Sequence, residues 1–217
     1  MFLRLIKLLI RTNRNLEDAR VALSCHKTFT LEDSFALFDI NKNGRIAFNE
    51  LTMVFEENGI QVQDIPRLIE IVDTDQDGTI ELDEWQAALA PKSLYRRTDP
   101  NEPYLSIEEK NLFQRAWLEQ LAHVFSLLIQ TDIEVNEKRS QLMLNGERLF
   151  DEMDSHNLGY ISINSFANWV AESCGFYICD EDLPALEFAL DGQSDYRITR
   201  QEFIDTVSVY EEEDGDE

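Results

Sequence analysis

The sequence predicts an all-α protein of two lobes, each a long leading helix followed by two helix–loop–helix units whose loops meet in a short two-stranded ladder. Three observations predict it. A unit of helix, loop and loop occurs twice along the 217 residues. Apolar residues between the loops recur at helical spacing. Each of the four loops carries an isoleucine at the same place, where a short extended segment pairs with its neighbour.

The first element is an amphipathic helix. Residues 1–10 are apolar except for Arg4 and Lys7, and Arg11 and Arg14 extend these into one basic stripe. Lys7 interrupts a run already too short to cross a bilayer, so a membrane is not an expected partner. A transit peptide would share this composition. The repeat argues instead for packing on the protein's own core, because Phe2, Ile6, Ile10 and Arg20 have counterparts in Leu121, Phe125, Ile129 and Arg139, in mid-chain where no targeting address operates. With a small shift, Phe35 and Phe38 likewise match Phe150 and Met153.

Thr30 with Asp33 marks the start of the helix entering the first loop. The first lobe is expected over residues 1–92, with a linker at 93–105 that holds prolines in a polar stretch. The second lobe spans 106–210. Ser106 with Glu109 opens its leading helix, and no Gly or Pro follows until Gly146, with Thr131 and Asp132 as the place for a break. The acidic end, 211–217, reads as a solvated tail.

Composition narrows the chemistry. Asp and Glu number 43 against 19 Lys and Arg, a formal charge of −24, which repels nucleic acid and favours cations or basic partner segments. Cys25, Cys174 and Cys179 lack zinc-site spacing and read as free thiols of a reducing compartment. His26, His123 and His156 are scattered, and no nucleophile or phosphate-cradle motif accompanies them, so an enzyme is not expected. Trp85, Trp117 and Trp169 sit at helical positions where core packing explains them.

The loops carry the chemistry. A calcium ion takes six to eight oxygens at about 2.3–2.6 Å, and a twelve-residue loop supplies them from positions 1, 3, 5, 7, 9 and 12 while turning on a glycine at position 6. Loop 39–50 offers the side chains of Asp39, Asn41 and Asn43, the backbone carbonyl of Arg45 and both carboxylate oxygens of Glu50, with Gly44 at the turn. Ala47 leaves its position to water. Loop 73–84 offers Asp73, Asp75, Asp77, the carbonyl of Thr79, Glu81 and Glu84, with Gly78 at the turn. Its greater charge predicts tighter binding there. Ile46 and Ile80 are expected to pair and couple the two loops.

The other two loops keep the frame and lose ligands. Loop 154–165 has Leu158 at position 5 and Ser165 at position 12, and is expected to be empty. Loop 191–202 keeps Asp191, Asp195 and Glu202, but Tyr196 replaces the glycine of the turn, so weak or no binding is expected. Ile161 and Ile198 remain, and this lobe should fold on its ladder without metal. Two Ca2+ ions in the first lobe are the expected cofactors.

On loops 39–50 and 73–84 the chain resembles the EF-hand superfamily that includes calmodulin, centrin and calcineurin B. The leading helix with Leu16, Glu17, Asp18, Ala19 and Arg20, and the hand pair ending Leu89, Ala90, Pro91 and Lys92, is more loosely similar to four-hand proteins of ciliates and flagellated protists. The resemblance implies a calcium-responsive adaptor or structural subunit of a cytoskeletal or ciliary (axonemal) assembly, cytoplasmic in setting. A partner with a basic amphipathic helix would suit its charge. The alternative is a cytosolic calcium buffer.

Overall fold

The structure, a computed structural model, describes residues 2–92, 107–192 and 195–208, the side chains of 107–113 excepted. Among the described residues are ten helices: α1 (Phe2–Ser24), α2 (Leu31–Phe38), α3 (Phe48–Glu57), α4 (Ile65–Val72), α5 (Leu82–Leu89), α6 (Ile107–Leu142), α7 (Gly146–Met153), α8 (Ile163–Cys174), α9 (Leu183–Leu190) and α10 (Arg200–Val207). Strands β1 (Tyr160–Ile161) and β2 (Ile198–Thr199) pair antiparallel with Ile161 opposite Ile198. Ile46 and Ile80 form a corresponding bridge, each N–H donating to the other's carbonyl at 2.9 Å. No described helix is long and apolar enough to cross a membrane. The expected linker at 93–105, the cap at Ser106 and the tail at 211–217 lie outside the described residues.

The chain divides into two compact units, Asn15–Asp132, and Met1–Arg14 with Ile133–Glu217. These draw on the chain differently from the lobes expected over 1–92 and 106–210. Each long helix gives its first part to the unit that holds the other repeat's loops. The expected break at Thr131 and Asp132 does not occur, and α6 runs unbroken for 36 residues. Neither residue is a helix breaker. What changes after Asp132 is the unit to which the helix belongs.

In the unit Asn15–Asp132, helices α2 to α5 form the two hands and α6 fills the groove between them. Trp117, Leu118, Leu121, Phe125 and Ile129 of α6 join Phe38, Phe55 and Trp85 in one core. Trp85 is wholly buried. Its ring centroid lies 5.1 Å from that of Phe38 and 5.5 Å from that of Phe125, and its Nε1–H donates to Ser34 Oγ at 2.9 Å. A buried indole N–H needs such an acceptor. Thr30 caps α2 as expected, its side chain accepting from the Asp33 N–H at 3.0 Å. The second part of α1 adds Leu16, Ala19 and Leu23 to this core, while the Arg20 Nε–H donates to the Ala88 carbonyl at 2.8 Å. Burial holds the Arg20 guanidinium below its ordinary pKa.

The unit Met1–Arg14 with Ile133–Glu217 repeats this plan. Phe2, Leu5, Ile6, Leu9 and Ile10 of α1 fill its core against Phe150, Phe166 and Phe203. The apolar face of the basic helix is thus buried on the protein's own core, as the repeat predicts. Phe2 packs edge-on to Phe166 and Trp169, with centroids 6.1 and 6.0 Å away. The stripe on its other face is partly paired, with Arg11 bonded to Glu134, and Arg14 to Asp182 at 2.7 Å. Arg139 repeats the role of Arg20: its Nε–H donates to the Ser208 carbonyl at 2.9 Å. Two arginines matched on sequence alone thus anchor equivalent helices in the same way.

Candidate metal centre

Each loop is organised by its first aspartate, which caps the helix before it and turns inward. Asp39 is buried, and its Oδ1 and Oδ2 accept from the Asn43 and Gly44 N–H groups at 3.0 and 2.8 Å. Asp73 does the same for Asp77 and Gly78 at 3.2 and 2.7 Å. The turn needs a left-handed residue at position 6, and Gly44 and Gly78 supply it with φ of +82° and +86°. Asn41 and Asn43, like Asp75 and Asp77, accept from N–H groups two residues on. These turns point the side-chain oxygens toward the loop centre.

The last ligand closes the ring from the following helix. Glu50 and Glu84 are buried at the first turns of α3 and α5. Glu84 Oε1 accepts from the Thr74 N–H at 2.7 Å and its Oε2 from the Glu81 N–H at 2.9 Å. Glu50 likewise accepts from Asn41 and Ala47 at 3.2 and 3.0 Å. Both carboxylates are held ready, one oxygen to each side of the loop.

The donor set fits a hard divalent cation. Asp73, Asp75 and Glu84 each bring one oxygen within 4.8 Å of the others, close to the spread of ligands about 2.3–2.6 Å from a common ion. Like charges so near oppose one another. The Asp77 N–H favours the charged Asp75, but desolvation and the carboxylates of Asp73, Asp77 and Glu84 outweigh it and raise its pKa above the ordinary value. Asp77 shifts the opposite way. Hydrogen bonds from the Thr79 side chain and N–H, together with the Arg45 guanidinium, lower its pKa.

Of the expected ligands, Asp39, Asn41, Asn43, the Arg45 carbonyl and Glu50 lie in one loop and Asp73, Asp75, Asp77, the Thr79 carbonyl and Glu84 in the other, and the structure brings oxygens of Asp73, Asp75 and Glu84 together. Sequence reasoning missed the side chain of Arg45. Its guanidinium crosses to the second loop, bonding Asp77, and Glu81 at 2.6 Å. The pairing of Ile46 with Ile80 was the available clue, since it sets the position-7 residue of one loop beside the acids of the next.

The remaining loops differ. In loop 154–165 Asp154 still accepts from Leu158 and Gly159 at 2.9 and 2.8 Å. The Leu158 side chain is exposed, and the Ser165 hydroxyl lies 2.9 Å from that of Ser162. In loop 191–202 Tyr196 adopts a left-handed φ of 65°, and its N–H donates to Asp191 Oδ2 at 2.7 Å. The turn is therefore made without glycine, at a cost of about 1–2 kcal/mol. Gln193 lies outside the described residues.

A loop flanked by helices, ligated at alternate residues and closed by a helix-borne glutamate defines the EF-hand class, and the profile of the EF-hand domain pair matches residues 28–89. The chain carries an EF-hand domain pair over these residues. It is 40% identical over 58 residues to the Arabidopsis thaliana protein named "Probable calcium-binding protein CML23", covering 26% of this chain and 37% of that protein. It is 36% identical over 73 residues to the "Probable calcium-binding protein CML26" of the same plant, covering 33% of this chain and 45% of the relative. These matches span less than half of either relative. A longer one, 27% identical over 173 residues, covers 79% of this chain and 77% of calmodulin-like protein 6 of Oryza sativa subsp. japonica. Over these stretches the chain is thus similar to calcium-binding and calmodulin-like proteins.

Proposed function

We propose that the protein is a non-catalytic, calcium-responsive adaptor whose first hand pair holds two calcium ions and whose second engages its partner without metal. The observation that carries this reading is the contrast between loops. Acid oxygens of Asp73, Asp75 and Glu84 converge in one, whereas another has Leu158 with no oxygen at position 5 and Ser165 in place of a bidentate carboxylate at position 12. Calcium entering loops 39–50 and 73–84 would alter the angles of α2 to α5 and loosen α6 from Phe38, Phe55 and Trp85. A partner's basic amphipathic helix would then compete for that groove, as the net charge favours. The cytoskeletal or ciliary setting implied by the looser resemblance belongs to this proposal, and co-sedimentation with axonemes tests it.

One observation favours a second reading, a calcium buffer. Phe35, Phe38, Val54 and Phe55 are all buried, so the groove that a sensor would open is already filled by α6. Binding of a hydrophobic fluorescent dye to the full chain separates the two. An adaptor gains dye fluorescence when calcium is added and loses it with chelator; a signal unchanged across saturating calcium leaves the buffer.

A further inference from the structure

We propose that Arg45 of the first loop acts as a built-in counter-cation for the second loop, lowering its calcium affinity below what its five acidic ligand positions would give. The inference rests on the calcium-loop reading above. Among the described residues, loop 73–84 carries acids at positions 1, 3, 5, 9 and 12, and two of these, Asp77 and Glu81, are bonded by one guanidinium.

Arg45 takes Asp77 Oδ2, whereas Asp77 Oδ1 accepts from the Thr79 N–H at 2.9 Å, so one oxygen of that carboxylate stays off the guanidinium. Arg45 therefore need not leave when a cation enters; it stays and opposes that cation's charge. The guanidinium is partly exposed, and an ion pair in that setting contributes little to folding. Its effect on a doubly charged ion a few ångströms away is larger, because the repulsion scales with the product of the charges. In the metal-free protein the sign reverses. There Arg45 relieves repulsion among Asp73, Asp75, Asp77, Glu81 and Glu84, consistent with the raising of its own pKa by Asp77 and then Glu81.

The geometry also ties the two loops together. The Arg45 carbonyl is the position-7 donor of loop 39–50, while its side chain rests on loop 73–84. Metal in the first loop fixes the backbone that carries the guanidinium, and so fixes the charge that the second loop meets.

The test is titration calorimetry of the full chain as wild type, Arg45→Gln and Arg45→Lys, with thermal melting of each in chelator. The expected result for Arg45→Gln is an affinity at the tighter site raised about five-fold, with a lower melting temperature in chelator. Arg45→Lys, which keeps the charge, should stay within two-fold of wild type in affinity, on the order of the spread for one retained charge. An Arg45→Gln affinity equal to or below that of wild type overturns the proposal, as does an Arg45→Lys that behaves like Arg45→Gln. Wild type with no calcium heat at all would instead overturn the calcium-loop reading itself.

Discussion

Glu84 illustrates how much depends on one side chain. It leaves the first turn of α5 to accept N–H groups from both ends of its loop, so its two oxygens face the loop centre from a fixed position. Glu84→Ala removes two of the six to eight oxygens a calcium ion requires. We expect loss of the tighter calorimetric event, with far-ultraviolet circular dichroism kept; an unchanged heat profile would show that the site lies elsewhere. The converse substitution, Ser165→Glu, should create no new calcium-binding event, because Leu158 still offers no oxygen. A third heat in that variant would contradict the ligand count. At this scale the sequence was largely legible, since ligands are tied to their positions by backbone turns that depend on residue type. Arg45 and Tyr196 were not legible. One acts across a bridge between loops, and the other adopts a conformation that its side chain disfavours.

Among the helices, α6 brings Trp117, Leu118, Leu121 and Phe125 into the core of the first hand pair. Phe125 is wholly buried, with its ring 5.5 Å from Trp85 and 6.1 Å from Phe55. Deleting such a ring typically costs about 3–5 kcal/mol. Phe125→Ala should therefore lower the denaturant midpoint of the transition followed by tryptophan fluorescence. A loss under about 1 kcal/mol would mean that α6 is not the groove's true occupant. Helix identity was readable from apolar spacing and from caps such as Thr30. The destination of each helix was not. Periodicity marks which face is apolar, but not which of two similar grooves receives it. The halves of α1 and α6 were accordingly assigned to lobes by sequence order, whereas the cores at Phe2–Ile10 and Trp117–Ile129 follow the other pairing.

At the scale of the molecule, the two units each combine residues from both repeats. A polypeptide of residues 1–92 holds Trp85 but lacks Trp117 and Phe125, and one of residues 107–217 lacks Phe2 and Ile6. Mixed in equal amounts, the two should regain a cooperative melt that neither shows alone. Emission from Trp85, the sole tryptophan of the first piece, should shift to shorter wavelength on mixing. A piece 1–92 that melts cooperatively by itself, with Trp85 already shielded, would refute this.

The shared ownership of α6 bears on what the second repeat contributes to the first. A gene that discarded everything after Lys92 would also discard the wedge on which Phe38, Phe55 and Trp85 close. The segment that carries Trp117 and Phe125 is therefore kept by the core it fills, whatever becomes of the donors of loop 154–165.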